Sequence, residues 1–430
     1  MEKTKKAEYS STKKIGLFLG IAAAAIILML PGINGLSAEG QKALALTAIM
    51  VIWWVTEAVP IWVTALLPLV LSPLFGLAGT KPTESKINIY SNYASPVVMM
   101  SLGVFLLAAV IEKWNLHKRI ALNIVNKMGD RSSMIIFGFA IATGFVSMFM
   151  SNVTAVAMML PIGLAMIKQL GLSHDSGFAK ALALSIAFAA SIGGMGTMIG
   201  SGTNVAGVAL MKELAGIDIT FVEWLKVGLP FVVILLPLSV LALNKMYKVK
   251  EVSLGDNSVI EKELKSLGPM TKAEKTTTVY LILAISGFIF RSQLSKLFPF
   301  LTDEGFAVLI GVVLFLIPVD FKNGLFLMDS KTAIKEISWS TFLLLGGALT
   351  LGDIFSKAGI AAWVAGGLGF LSALPEIAII FVIAVLVAVI TEACSNFVVA
   401  SAFLPVIYGI ALELGIEPML LMMTVTLSAS

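Results

Sequence analysis

Long apolar runs recur from one end of this chain to the other, and no other feature limits its fold as strongly. Ile15–Leu30, Ala43–Val59 and Phe231–Leu243 are examples. A helix needs about 20 apolar residues, or about 17 at the short limit, to cross a bilayer. Backbone polar groups find no water there, so each run must be helical or belong to a closed barrel. Barrel strands are about 10 residues long and alternate in polarity, whereas these runs are longer and continuous. The expected fold class is therefore an all-α polytopic membrane protein, with the lipid bilayer as its solvent. Composition agrees, with 58% apolar residues and only 13% charged ones, about half the charged share of a soluble domain. The net charge of +4 does not point to nucleic acid, because the basic residues lie between the apolar runs. A single cysteine, Cys394, excludes an intrachain disulfide and a cysteine-based metal cage. The basic Met1–Lys14 leads into a run long enough to remain a helix, so no cleavable signal peptide is expected.

Loop charge orders the spans, since cytoplasmic loops are enriched in Lys and Arg. The tail, residues 1–14, carries Lys3, Lys5, Lys6, Lys13 and Lys14 and is placed inside. Helices follow at about 15–31, 43–59, 61–79 and 95–116, the second broken by Ala58-Val59-Pro60. The next loop holds Lys113, Lys118, Arg119, Lys127 and Arg131. Residues 134–167 have inside-type flanks at both ends, which parity assigns to a re-entrant hairpin or a double crossing. A glycine-interrupted helix at 178–212 and another at 223–244 lead to a basic linker, 245–275. Helices at about 276–298, 304–319 and 341–369 precede a second hairpin, 376–414, on the outside. A last run, Pro418–Ser430, begins one more helix.

A repeat is visible at matching places. Glu39-Gly40 and Glu304-Gly305 each open an apolar helix, and Leu102-Gly103 corresponds to Leu345-Gly346. Ser151-Asn152 is followed ten residues later by Pro161 in Met-Leu-Pro, and Ser395-Asn396 ten residues later by Pro405 in Phe-Leu-Pro. Each Ser-Asn pair lies mid-hairpin, and the hairpins enter from opposite sides. Two inverted-topology repeats are expected, a first over 80–244 and a second over 276–430, after helices 1–3 at 15–79. Inverted repeats with interrupted segments at matching positions point to a binding site near the midplane.

The chemistry of a hairpin tip follows from its broken backbone. Free N–H groups at the start of a half-helix favour anions, and free carbonyls at the end of the other half suit Na⁺. Ser and Asn add donors and acceptors without fixed charge. Two such tips can grip the ends of a dicarboxylate; helix capping or packing glue is the plainer role for the same residues. Ser191 through Asn204 hold five glycines in fourteen residues, which predicts an unwound segment rather than a continuous helix, with close helix packing as the alternative. No Lys or Arg falls in either tip or in this segment.

Trp53 through Pro60, Thr64 through Pro68, the two Ser-Asn pairs and Gly193–Asn204 together resemble the divalent anion/sodium symporter family over nearly the whole chain. The resemblance implies a homodimer with an elevator mechanism, in which helices 1–3 belong to a scaffold and the hairpins to a mobile transport domain. It implies C4–C6 di- or tricarboxylate cargo, C4–C5 dicarboxylates such as succinate, malate, fumarate or 2-oxoglutarate above all. It also implies Na⁺ as a coupling ion and no other cofactor. By similarity Ser147, Ser151, Asn152 and Gly196 would serve one cation site, and Thr391, Ser395 and Asn396 a second. Ser151, Asn152, Val153, Gly200, Thr203, Ser395, Asn396 and Phe397 would line the substrate site.

This sequence departs from the family pattern where Val153 and Phe397 replace a threonine after each Ser-Asn, and where Gly202-Thr203 replaces a double proline. Two lost hydroxyls favour sodium-independent dicarboxylate exchange, with sodium-coupled symport as the alternative. The repeat offset also expects a second glycine-rich loop beyond Ser430, as in a longer protein. An anion channel lacks a reason for paired hairpins. A serine hydrolase at Gly200-Ser201-Gly202 lacks a base, since His117 and His174 fall in expected polar loops. Thr154 is expected to point away from the first tip. Glu57 and Glu392 are read as hydrogen-bonding groups at helix breaks ahead of proton carriers, Asp353 and Glu112 as wetted, and Trp53, Trp54 and Trp62 as interface anchors.

Overall fold

Where the sequence is apolar for a span's length, the chain forms helices, since intrahelical bonds are the only way to satisfy that backbone in hydrocarbon. The computed structural model describes residues 9–77, 89–251, 258–299, 301–367 and 374–430, so Lys3, Lys5 and Lys6, the end of the expected helix 61–79 and part of the 245–275 linker lie outside the described residues. Among those described, seven helices are long and apolar enough to cross a membrane. They are Ser11–Met29, Ile89–Lys113, Asn152–Gln169, Gly177–Gly194, Phe221–Met246, Trp339–Lys357 and Asn396–Leu414. The bent pair Lys272–Ile289 and Arg291–Leu297, turned by 78°, would make an eighth. The expected all-α polytopic class holds.

Several expected spans are shorter or more broken than the apolar runs that announce them. Of the expected helix 61–79, the described residues 61–77 form two pieces, Ile61–Thr64 and Leu67–Leu74, with Pro68 in the first turn of the second, where its missing N–H costs nothing. The run 304–319 is helical only over Asp303–Val313. It then enters a small antiparallel pair, Pro318–Asp320 with Leu325–Phe326. The run 341–369 breaks at Gly359, whose φ of 76° suits glycine. The basic stretch after Lys113 is not a loop: Leu116–Lys127 is an amphipathic helix that buries His117, Leu122 and Val125.

The chain divides into two compact units. One comprises the described residues of Met1–Val98, Ala206–Asp218 and Ser338–Ala429; the other comprises those of Met99–Val205 and Ile219–Ile337, with Ser430. The first hairpin and the glycine-rich break lie in the second of these, and the second hairpin lies in the first.

Small residues set the packing within each unit, as expected where lipid removes the hydrophobic drive between helices. In the unit of the first hairpin, a methyl group on Gly193 would collide with the backbone of Gly144, and one on Gly103 with the backbone of Ala307. In the other unit, a Cβ on Gly347 would stand 2.6 Å from the Ala65 carbonyl, and one on Gly409 2.7 Å from that of Ala361. Tyr93 donates its hydroxyl to the same Ala65 carbonyl. Outward faces are apolar instead: Leu229, Val233, Leu238 and Leu241 on one span, and Ile377, Phe381, Val385 and Val389 on the outer arm of the second hairpin, are exposed. A soluble protein would hide such continuous faces; here they meet lipid.

Candidate functional site

Both hairpins are helix–break–helix units, as the sequence predicts. Ser132–Ser147 and Asn152–Gln169 meet at Ser151, and Glu376–Thr391 and Asn396–Leu414 meet at Ser395. Each serine is the N-cap of its second arm, with extended backbone. Pro161 and Pro405 lie inside the second arms.

At the first tip the Ser147 hydroxyl stands 2.9 Å from Asn152 Oδ1 and 2.7 Å from the Ala190 carbonyl. At the second tip the Thr391 hydroxyl stands 2.8 Å from Asn396 Oδ1 and 3.1 Å from the Ala429 carbonyl. The same constellation is thus built twice: a hydroxyl five residues before the asparagine links the tip to a carbonyl of a following helix. A hydroxyl has one proton and a carbonyl can only accept. With that proton on the carbonyl, the asparagine is best turned to donate its amide N–H to the hydroxyl oxygen. That leaves the other amide atom of each asparagine for a ligand. The sequence reading missed Ala190 and Ala429, although a signal existed: Ala190-Ser191 and Ala429-Ser430 are the same dipeptide at corresponding places.

The glycine-rich segment is unwound as expected, between Gly177–Gly194 and Gly202–Ala215. Freed carbonyls of a broken helix need partners, and neutral side chains supply them. Asn204 Nδ2 lies 2.8 Å from both the Gly194 and the Thr197 carbonyl. Trp224 Nε1 donates to Met195 O at 2.9 Å, and the Thr197 hydroxyl donates to the Met148 carbonyl at the hairpin tip. Asn204 and Thr197 are completely or almost completely buried. Asn204 therefore staples the break rather than facing a ligand.

Gly200 is surrounded by backbone oxygens. A Cβ there would stand 2.5 Å from Gly194 O, 3.0 Å from Ser147 O and 3.1 Å from Met148 O. Three carbonyls thus converge on one small space, two of them from the end of the first hairpin arm. Each carbonyl oxygen has two lone pairs, so the bonds from Asn204 and Thr197 leave capacity on Gly194 O and Met148 O. Neutral, hard oxygen donors of this kind fit an alkali cation. Gly196 does not join them; it lies against the Met148 side chain, Gly193 O and Val232. Thr203 is buried, and its backbone N–H donates to Ser201 Oγ at 3.2 Å.

The two positions after Ser-Asn have opposite surroundings. Val153 is 78% exposed and Phe397 only 7%. Thr154 corrects an expectation: it does not point away, since its hydroxyl lies 2.8 Å from Ser151 Oγ and its N–H donates to the same oxygen at 3.1 Å. One turn of helix brings the N3 residue back over the N-cap, so position 154 returns a hydroxyl to a tip that position 153 lacks.

Other expectations also change. His117 is buried, with Nδ1 3.1 Å from the Ile111 carbonyl, and burial holds its pKa below the usual imidazole range. Asp353 is buried and paired with Lys357 at 2.7 Å, not wetted. Trp54 is fully buried, donating to Ile61 O at 3.0 Å, and is no interface anchor. Glu57 ends its helix in the left-handed region (φ 46°) and pairs with Lys13 at 3.3 Å. Lys13, Glu57, Glu392, Cys394 and Ser395 line one cleft of about 350 Å³ beside the second tip.

Paired interrupted hairpins and a broken helix with its carbonyls held by neutral groups define a class of protein, the helical secondary transporter. This chain belongs to the family described as "Sodium:sulfate symporter transmembrane region", which matches residues 11–430; the resemblance to the divalent anion/sodium symporters is borne out. It is 34% identical over 441 residues to the sodium-dependent dicarboxylate transporter SdcS of Staphylococcus saprophyticus, covering 100% of this chain and 84% of that one. It is 35% identical over 443 residues to SdcS of Staphylococcus aureus strain USA300, covering 99% and 83%. In fold it is similar to the Alcanivorax borkumensis YdaH transporter, with a TM-score of 0.53 and 16% identity over 86% of this chain and 85% of that one.

Proposed function

We propose that this protein is a sodium-coupled carrier of small dicarboxylates in the cytoplasmic membrane, its N-terminus inside, working as a homodimer by an elevator movement. One observation carries the reading: the hydroxyl–asparagine–carbonyl constellation built at both tips, Ser147–Asn152–Ala190 and Thr391–Asn396–Ala429. In this reading Na⁺ is cargo, held by neutral oxygens of Ser147, Ser151, Asn152 and Gly194 at one tip and of Thr391, Ser395 and Asn396 at the other. The substrate carboxylates are taken by the free N–H groups that open the second arms and by the asparagine amides, with Val153, Gly200, Thr203 and Phe397 among the site's further residues.

Sodium-independent exchange, favoured by the sequence alone, gives way to symport. Relatives matching nearly the whole chain carry names that state sodium dependence, and carbonyls converge beside Gly200. Thr154 also returns a hydroxyl to the first tip. Exchange keeps one argument, the absence of a hydroxyl at Val153 and Phe397. Proteoliposomes separate the two. Symport predicts labelled succinate uptake into empty vesicles under an inward Na⁺ gradient, and none when Na⁺ is replaced by choline. Uptake confined to vesicles preloaded with dicarboxylate and indifferent to Na⁺ would reverse the assignment.

A further inference from the structure

One cleft in the unit of the first hairpin has no residue of that hairpin's tip in its lining and is unused by transport in the proposed reading. It has a volume of about 760 Å³, and its walls include Lys113, Trp114, Lys272, Asp320, Phe321 and Lys322. Lys113 is the last residue of one apolar span and Lys272 the first residue of the bent apolar pair. Two span ends in one cleft put it at the level where hydrocarbon gives way to headgroups.

The charges around the cleft are unequally matched. Glu274 is committed to Arg119, with Oε1 2.7 Å from Nε, and its other oxygen accepts from the Thr271 backbone N–H at 2.7 Å. Lys113 is held by Asp329 at 2.7 Å and lies over the Trp114 ring, making a fixed cationic wall. Asp320 folds its carboxylate into its own turn, accepting from Asn323 Nδ2 at 2.6 Å and from the Lys322 backbone N–H at 3.1 Å. Lys272 is near enough to act on Asp320 electrostatically but, like Lys322, has no carboxylate within ion-pair distance among the described residues. In the same lining Phe321 is 78% exposed, and Leu325 is also exposed. A cationic recess with an apolar lip at the interface is complementary to one kind of molecule, with a phosphate at one end and acyl chains at the other.

We infer that this cleft binds the headgroup of an anionic phospholipid, Lys272 and Lys322 holding the phosphate while Phe321 and Leu325 border the acyl chains. Zwitterionic lipids carry the same phosphate with a compensating cation, so the site should discriminate against them.

Native mass spectrometry of the full chain tests this, using protein purified in detergent and incubated with phosphatidylglycerol or phosphatidylcholine. The expected result is retained phosphatidylglycerol on the native protein and far less phosphatidylcholine. In Lys272→Gln/Lys322→Gln, phosphatidylglycerol retention should fall about 25-fold, since each lysine near an anionic surface is worth about fivefold in affinity. Lys322→Gln alone, on an exposed turn, should give the smaller part of that loss and serves if the double variant does not purify. Phe321→Ala should also lower retention. Equal phosphatidylglycerol retention by native protein and lysine variants would overturn the proposal. So would displacement of the lipid by millimolar inorganic phosphate, which would make the site one for free phosphate.

Discussion

The two hairpin tips share a plan and differ in how firmly each is tied. At the first, Ser151 caps its helix, Thr154 closes back onto the cap, and the Thr197 hydroxyl reaches in from the glycine-rich break. At the second, Ser395 makes no side-chain cap bond and the residue three on is Val398; the tip borders an open polar cleft. The substituted positions reverse this order, for Val153 projects from the well-tied tip while Phe397 is packed into the loosely tied one. Beyond the shared constellation, the first tip is thus held by further hydrogen bonds and the second by apolar packing. Two halves descended from one pattern reach similar geometry through different forces, and the difference tells which substitutions each will tolerate.

The largest expected effect tests what the tips have in common. Asn152→Ala and Asn396→Ala should each reduce sodium-driven uptake to the level of protein-free vesicles while the variants still elute as folded protein. Uptake surviving in one of them would restrict the constellation's role to the other tip. Next comes the contrast in packing. Phe397→Thr removes a buried aromatic and should cost about 3–5 kcal/mol of stability, whereas Val153→Thr, at an exposed site, should change stability by less than about 0.5 kcal/mol. Thermal unfolding in detergent reads both, and equal melting temperatures would erase the distinction. The contrast in capping is smaller. Ser151→Ala should cost about 1 kcal/mol and Ser395→Ala only a few tenths, read in the same way.

The smallest effect lies outside both tips and serves as a baseline. Lys113, with help from the Thr332 backbone N–H, holds the Asp329 carboxyl well below the usual carboxylate range. A depressed folded-state pKa contributes stability that is present above the unfolded value and lost as pH falls through the folded one. Asp329→Asn should therefore shift the melting temperature by a small offset that stays constant between pH 5 and pH 8, and that offset should shrink only below about pH 4, as the native carboxyl takes up its proton.

Much of this was readable from residues alone, and the limits have physical causes. Hairpin arms were legible because Ser-Asn interrupts an apolar run where only a break can accommodate it, and the unwound segment because glycines at that density disfavour helix. Span ends were less legible: apolarity continues through 314–319, but the helix stops at Val313, and Leu116–Lys127 is polar enough on one face to pass for a loop. Thr154 was misjudged because helical periodicity gives direction without the local turn at an N-cap. The Ala190 and Ala429 carbonyls were invisible for a deeper reason, since a backbone oxygen becomes a ligand or anchor through conformation, and every residue has one.

The contact between Gly144 and Gly193 has a consequence for the carbonyls beside Gly200. Two backbones pressed together have no rotamers between them to rearrange, so the joint has little slack. Gly194 O, one residue from that contact, and Ser147 O, three residues from it, keep their spacing as a gauge block keeps its length. An alkali ion is distinguished from a larger one by a few tenths of an ångström. In the proposed elevator movement, carbonyls that read this difference on both sides of the membrane would have to travel as a solid part, and a pair of missing side chains would make them one.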